Sequence, residues 1–373
     1  MKARAIAIGL VVSAVFIASA QAQETTRSVD FHGFGGWAYG KTSANRFLAG
    51  DPLGDYRQGS VALNFSVHLT PRFSIIGQNF WRQSGEGTET EIDFAFAEWK
   101  FSDAIKLRVG KVKQPFGIYA EVFDVGTVRP FLSLPQSVYG QVGIVAEGYQ
   151  GLGLRGTSAL GRGWTAAYDL YGGGIQFESQ GAAIDFLRGN PGESTSSSSE
   201  MTRDLLGARL VLSLPVPGLS VGGSAYTGRH AGEAGAVRQS VRGLQVEYAS
   251  NRTWLRGEMV HHTESGTSMA NAMYGEAALF LTRQWQLAFL YNRHVTNLDG
   301  VDPSTAPSLV KHDEVAFGLN FWFAPELVFK ASYHSVLGNR LALPGTDDLA
   351  AIIGAGELRT KTRLFQLGGQ FSF

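Results

Sequence analysis

The sequence contains no cysteine, which excludes a disulfide framework and any thiolate metal site. It has no charge imbalance either. Its 32 basic residues meet 32 acidic ones, so no strongly basic face points to a nucleic-acid partner. Charge is scarce as well, at 17% of residues against about a quarter in ordinary soluble domains. After the N-terminus there is no long apolar run, so no later segment can cross a bilayer as a helix. Mean hydropathy is nonetheless close to zero, at -0.03. Apolar residues are therefore plentiful but interleaved with polar ones. Glycine is abundant, at 47 residues, and aromatics reach 12%.

The single apolar run lies at the start. Lys2 and Arg4 precede an apolar stretch from Ala5 to Ala18, and Ala20-Gln21-Ala22 is a small-x-small cleavage site. Residues 1–22 are expected to be a cleaved signal peptide, with export of a mature chain starting at Gln23. A membrane-anchoring helix is the competing reading. The run is short for one, and a good cleavage site follows it.

Strict alternation dominates the mature chain, residues 23–373. Val61, Leu63, Phe65, Val67 and Leu69 alternate with Ala62, Asn64, Ser66 and His68. The pattern returns at Val315, Phe317, Leu319, Phe321 and Phe323, and again at Phe365, Leu367, Gly369, Phe371 and Phe373. Period two over nine residues specifies a strand with one apolar and one polar face. About sixteen such strands can be read, ending with 362–373. In 90–101 the apolar phase changes between Phe96 and Trp99, which predicts a bulge near Ala97 or an inward Trp99. Short turns such as 70–71, 102–104, 160–163, 215–218, 250–252, 282–283 and 325–326 alternate with mostly longer connections at 41–55, 84–89, 114–148, 174–202, 230–238, 264–270, 297–312 and 338–361. The order short, long, short, long is expected of a closed antiparallel transmembrane β-barrel with its short turns on the periplasmic side. The fold class predicted is thus all-β. Trp164, Trp285 and Phe373 are placed at the periplasmic interface, and Trp37, Tyr39, Tyr168 and Tyr291 toward the outer girdle. The face opposite the apolar set carries Asn64, His68, Lys106, Arg108, Asp169, Arg209, Gln245, Glu247, Arg256, Glu258, Glu276, Asn320, Lys330 and His334. Charges there fit a water-filled lumen. Accordingly Leu319→Arg should impair assembly, while Asn320→Arg, facing water, should be tolerated.

One connection stands apart. Residues 115–148 are long, stiffened by Pro115, Pro130 and Pro135, rich in aromatics, and charged at Glu121, Asp124 and Arg129. Either they fold into a cavity or they pack over the outside of the sheet. Between Ile105 and Gly148 lie five bases, Lys106, Arg108, Lys111, Lys113 and Arg129, against three acids, Glu121, Asp124 and Glu147. Lys106 and Arg108 share the inward phase. Lys111 and Lys113 are on the other phase unless a bulge at Gly110 turns them inward. With acids on an inserted loop and bases on the wall, a transverse field would cross the constriction, with a small basic excess favouring anions. The alternative is that these pairs only anchor the loop.

These features resemble the Gram-negative outer-membrane porins: a signal peptide, about sixteen alternating strands, a C-terminal Gly369-Gln370-Phe371-Ser372-Phe373, and a long third external loop. Lys111-Val112-Lys113-Gln114-Pro115-Phe116-Gly117 resembles the strand-to-loop passage of phosphate-selective O/P-type porins. No long run of lumenal Arg or Lys accompanies it, however. The resemblance implies a homotrimer, a third loop that narrows the lumen, recognition of Phe373 by the barrel-assembly machinery, and diffusion of ions and small hydrophilic solutes without a cofactor. Enzymatic barrels and non-conducting structural or adhesive barrels remain as alternatives. For an enzyme the sequence offers no G-x-S-x-G, H-E-x-x-H or P-loop. His261-His262 beside Glu264 cannot chelate from one face, because neighbours on a strand point oppositely.

Overall fold

The computed structural model describes residues 28–373 apart from 85–86, 141–143, 178–181, 188–199, 233–234, 301, 303, 305–306 and 345–348. The predicted signal peptide and the tip of the Ser-rich loop lie outside the described residues. Sixteen long strands close into one antiparallel barrel, with the two-residue strand Gly50–Asp51 as an addition at the rim. The barrel strands are β1 (Ser28–Thr42), β2 (Asp55–Thr70), β3 (Phe73–Ser84), β4 (Gly87–Lys100), β5 (Lys106–Lys113), β6 (Gly148–Gly161), β7 (Trp164–Phe177) and β8 (Glu200–Ser213). They continue as β9 (Leu219–Gly232), β10 (Gly235–Ala249), β11 (Thr253–Glu264), β12 (Ser268–Phe280), β13 (Trp285–Leu298), β14 (Lys311–Ala324), β15 (Leu327–Leu337) and β16 (Lys361–Ser372). Each pairs with the next. β1 closes the ring on β16 from Phe34↔Ser372 to Thr42↔Leu364. Closure leaves no free sheet edge, which is what a strand-built membrane span requires.

Alternation sets the facing. Along β14, Phe317, Leu319 and Phe323 are exposed on the outside, while Glu314, Ala316, Asn320 and Trp322 are buried inside. The predicted break in β4 is real but lies elsewhere. The ladder to β3 skips Asp93, running Gln78↔Phe94 and then Asn79↔Ile92. This bulge resets the phase, so Phe96 points inward and Trp99 outward against Phe73. No bulge is needed at Ala97. Tyr168 also departs from expectation. Its hydroxyl donates to Ala104 O in the short turn before β5, so it sits at the short-turn rim rather than toward the outer girdle. Strand tilt accounts for this, because stagger between neighbours carries a residue up one strand to the level of the next turn.

Phenylalanines on the outer face lie over glycines of the adjoining strand. The Phe373 and Phe371 rings occupy the positions a Cβ would take at Gly33 and Gly35, and the Phe65 ring covers Gly77. The abundance of glycine on the outer face thus has a packing reason. At the far end the longer connections pack on one another. Ala183 and Leu309 are buried together, with Phe186, Leu349 and Ile353 against them.

Asn320 overturns the expectation of a hydrated site. It is fully buried, and its amide donates to Pro130 O and Gln286 Oε1. Leu319→Arg should still cost ~2–4 kcal/mol at bilayer depth and reduce the heat-modifiable barrel on semi-native gels. Asn320→Arg should preserve that gel shift but displace the inserted loop, read as faster proteolysis at 120–140. Loss of the shift in both variants would refute the facing assigned here.

Candidate functional site

The lumen is occupied by residues 114–140 and 144–147, which follow the outer end of β5 and run inward. Among the two placements left open by the sequence, the loop lies inside the barrel. Phe116, Tyr119, Phe131 and Tyr139 are almost completely buried against inward-facing wall residues. Each such side chain contributes roughly 1.5–3 kcal/mol of apolar burial. The wall is notched to receive them. A Cβ on Gly243 would lie 3.0 Å from the Phe116 ring, and one on Gly318 would lie 3.2 Å from the Phe131 ring.

Polar anchors follow the loop around the wall. Gln114 donates to the Tyr171 hydroxyl and accepts from Ala146 N, pinning the two ends of the loop together. Gly117 N donates to Ser224 Oγ. Glu258 of β11 accepts from the amide of Ile118 and from the hydroxyls of Tyr139 and Tyr274. Tyr119 donates to Glu276 Oε1 at 2.5 Å and accepts from Arg256 Nη1 at 2.7 Å. Ser137 meets Asn292 and His294 of β13. Lys330 of β15, fully buried, donates to Gly126 O, Arg129 O and Phe131 O and to Gln370 Oε1. A buried ammonium is tolerable only with such a set of acceptors.

The seven residues singled out from the sequence separate into groups. Glu121 is held by Arg155 at 2.8 Å and by Arg209, with Arg108 at 3.8 Å. Burial works to raise the Glu121 pKa, but the charges of Arg209 and Arg155 outweigh it and hold the carboxyl below its usual range. Lys113 does turn inward, bridging Asp93 at 2.7 Å and Asp124 at 2.8 Å. It does so without a register shift at Gly110, whose φ of 136° lies within an unbroken ladder to β6. Lys111 donates to Ile92 O. Arg129 faces its own loop, donating to Phe123 O and Leu132 O. Lys106 pairs across the ladder with Arg155 and stays below the Glu121 cluster. Sequence reasoning placed Arg209, Arg256, Glu258, Glu276 and Lys330 on the inner face but missed them as loop anchors. Inward parity marks such residues, but only the ladder registers show which of them meet the loop.

The loop packs on the wall from β7 to β15 and leaves a cavity of about 910 Å3 bounded by β1–β4, β16 and the loop and reaching Lys111 of β5, Gln150 of β6, Gln176 of β7 and Met201 of β8. Arg82, Glu89, Glu91, Lys111, Asp124 and Glu147 line it. Glu147 is about a third exposed to this space, with Arg82 at 3.8 Å. Burial, and then the charge of Asp124, push its pKa up to about 7. His261 and His262 face opposite sides as expected. His261 contacts Asn271 on the outside, and buried His262 contacts Gln239.

Gly117 offers a clean test of seating. Its φ is +63°, and a Cβ there would lie 2.1 Å from Glu258 Oε1. Gly117→Ala should therefore unseat this end of the loop while leaving the barrel formed. Amide exchange at Ile118 and Tyr119 should rise at least about tenfold, the equivalent of ~1.4 kcal/mol. Unchanged protection would refute the anchor.

No protein-family model and no curated protein matches the sequence. Solved structures do match in fold. The outer-membrane channel DcaP of Acinetobacter baumannii aligns over 94% of this chain and 99% of its own, with a TM-score of 0.60 at 10% identity. OmpF of Salmonella typhi, in complex with daunomycin, aligns over 94% and 99%, with a TM-score of 0.58 at 12% identity. An anion-selective porin from Comamonas acidovorans aligns over 93% and 100%, with a TM-score of 0.57 at 11% identity. The closed sixteen-strand barrel with its inserted loop is therefore a porin-type fold.

Proposed function

We propose that this chain is an outer-membrane porin for passive diffusion of ions and small hydrophilic solutes. The observation that carries the reading is the polar, charged cavity left beside the inserted loop. An interior packed for structure alone has no reason to keep Arg82, Glu89 and Glu91 around open space. In this reading residues 115–148 set the constriction. Glu121, Arg108 and Lys113 hold the loop in place, and the lining charges Arg82, Glu89, Glu91, Lys111 and Glu147 act on the permeant. Insertion in the outer membrane, removal of residues 1–22, recognition of Phe373 by the assembly machinery and a homotrimer belong to the same proposal. The trimer is the arrangement of porins that this chain resembles. A detergent-extracted particle with the mass of one chain would remove it.

Planar-bilayer recording tests the central reading. The purified protein should give discrete open-channel steps, and none would defeat it. Deleting Val122–Gln136 removes Arg129, Phe131 and the loop carbonyls bound by Lys330, and should raise single-channel conductance severalfold. A folded deletion protein with unchanged conductance would show that the loop is not the constriction.

Glu147 makes the current pH-dependent. Its carboxyl is largely neutral below about pH 7 and largely ionised above it. Raising pH from 6 to 8 therefore adds close to one negative charge beside the passage. The zero-current potential in a salt gradient should move toward cation preference over that interval. Glu147→Gln should abolish the shift. A shift toward anions, or one that persists in Glu147→Gln, would refute the assignment.

A further inference from the structure

We propose that the passage favours small organic cations that carry an apolar body. This rests on the porin reading and specifies the solute class for the same cavity. The lining is mixed. β3, β4, β5 and the loop present Glu89, Glu91 and Glu147 against Arg82 and Lys111. The pairs are loose, with Arg82–Glu147 at 3.8 Å and Lys111–Glu91 at 4.0 Å, and their side chains are open to the cavity. Asp124 also borders the space, and Lys113 at 2.8 Å from it is shared with Asp93 at 2.7 Å. Arg129 lines the space too, and the neutral carbonyls of Phe123 and Leu132 that it bonds leave its charge in place. The lining thus holds four acids, Glu89, Glu91, Asp124 and Glu147, against three bases, Arg82, Lys111 and Arg129, which reverses the small basic excess read from the sequence around the loop.

The same lining also holds an apolar set. Phe47, Leu48, Leu132, Leu134 and Leu341 form an apolar ledge there. Among them sits Gln366 of β16, fully buried, with neither amide atom partnered among the described residues. A bare inorganic ion uses only the charged set. An amine with a hydrocarbon body uses both, its ammonium toward Glu89 and Glu91 and its apolar part on the leucines. Apolar anions meet the same ledge but the wrong charge excess.

The test uses the full-length protein in planar bilayers with three probes: ethylammonium, phenethylammonium and phenylacetate. Bi-ionic reversal potentials give relative permeabilities, and interruption of the potassium chloride current gives relative occupancy. Phenethylammonium should interrupt the current at about five- to tenfold lower concentration than phenylacetate, the scale of one close charge in a water-like medium. It should also exceed ethylammonium, because only it reaches the ledge. Glu89→Gln with Glu91→Gln leaves bases in excess and should invert the cation-to-anion ratio. Leu341→Asn should erase the advantage of phenethylammonium over ethylammonium while keeping both ahead of phenylacetate. Open channels that prefer phenylacetate, or that treat the two ammonium ions alike, overturn this inference and leave the porin reading standing. Absence of any open-channel current overturns both.

Discussion

Girth is the constraint on which the rest of this structure depends. A ring of sixteen strands is too wide for side chains on its own wall to meet across the middle. The inner face must then be either hydrated or covered by chain brought in from elsewhere. Here the chain after β5 supplies the cover. Once it enters, every peptide group it carries needs a partner, and the wall must provide one. The buried Glu258, Glu276, Asn320 and Lys330 answer that need, since each bonds a loop peptide or a loop hydroxyl. A charged wall residue under such a loop is therefore structural, whereas a charged residue facing the cavity is free to act on a solute.

That division explains where sequence reading succeeded and where it stopped. The barrel was legible because alternation is local, and residues 315–323 or 365–373 announce a strand without reference to anything distant. Loop insertion was half legible: three prolines and an aromatic-rich stretch called for a surface to cover, and the sequence left the inside and the outside of the sheet both open. What could not be read was which polar residues lie beneath the loop and which beside it. Asn320 looks hydrated by parity yet is buried, because Pro130 happens to sit over it. Glu121 and Arg108 looked like opposing sides of a passage and instead share one cluster. Such pairings depend on ladder registers and on the path of the loop across the lumen, and neither has a local signature. The Asp93 bulge was missed for the same reason. Its motive is a partner twenty residues on, Lys113, and the phase break it causes becomes visible only further along the strand.

The described parts of the inserted segment, 114–140 and 144–147, are bonded to the wall at many points. Its contacts run from Tyr171 on β7 to Ser372 on β16. Aromatic rings fill glycine notches between them. Parts held this way have no low-energy hinge about which to swing, so the cavity beside them keeps its shape through fixed packing.

Lys330 carries a consequence for the order of events during assembly. It grips loop carbonyls 199 to 204 residues earlier in the chain, and Gln370 and Ser372 complete the same end of the loop. None of these partners is in position until the last two strands have joined the sheet and β16 has met β1. That end of the loop is made early but gains its partners only with the final strands, whereas its anchors on β7, β11 and β12 belong to strands made before them. Completing the wall and completing the seat of residues 126–132 are therefore one event.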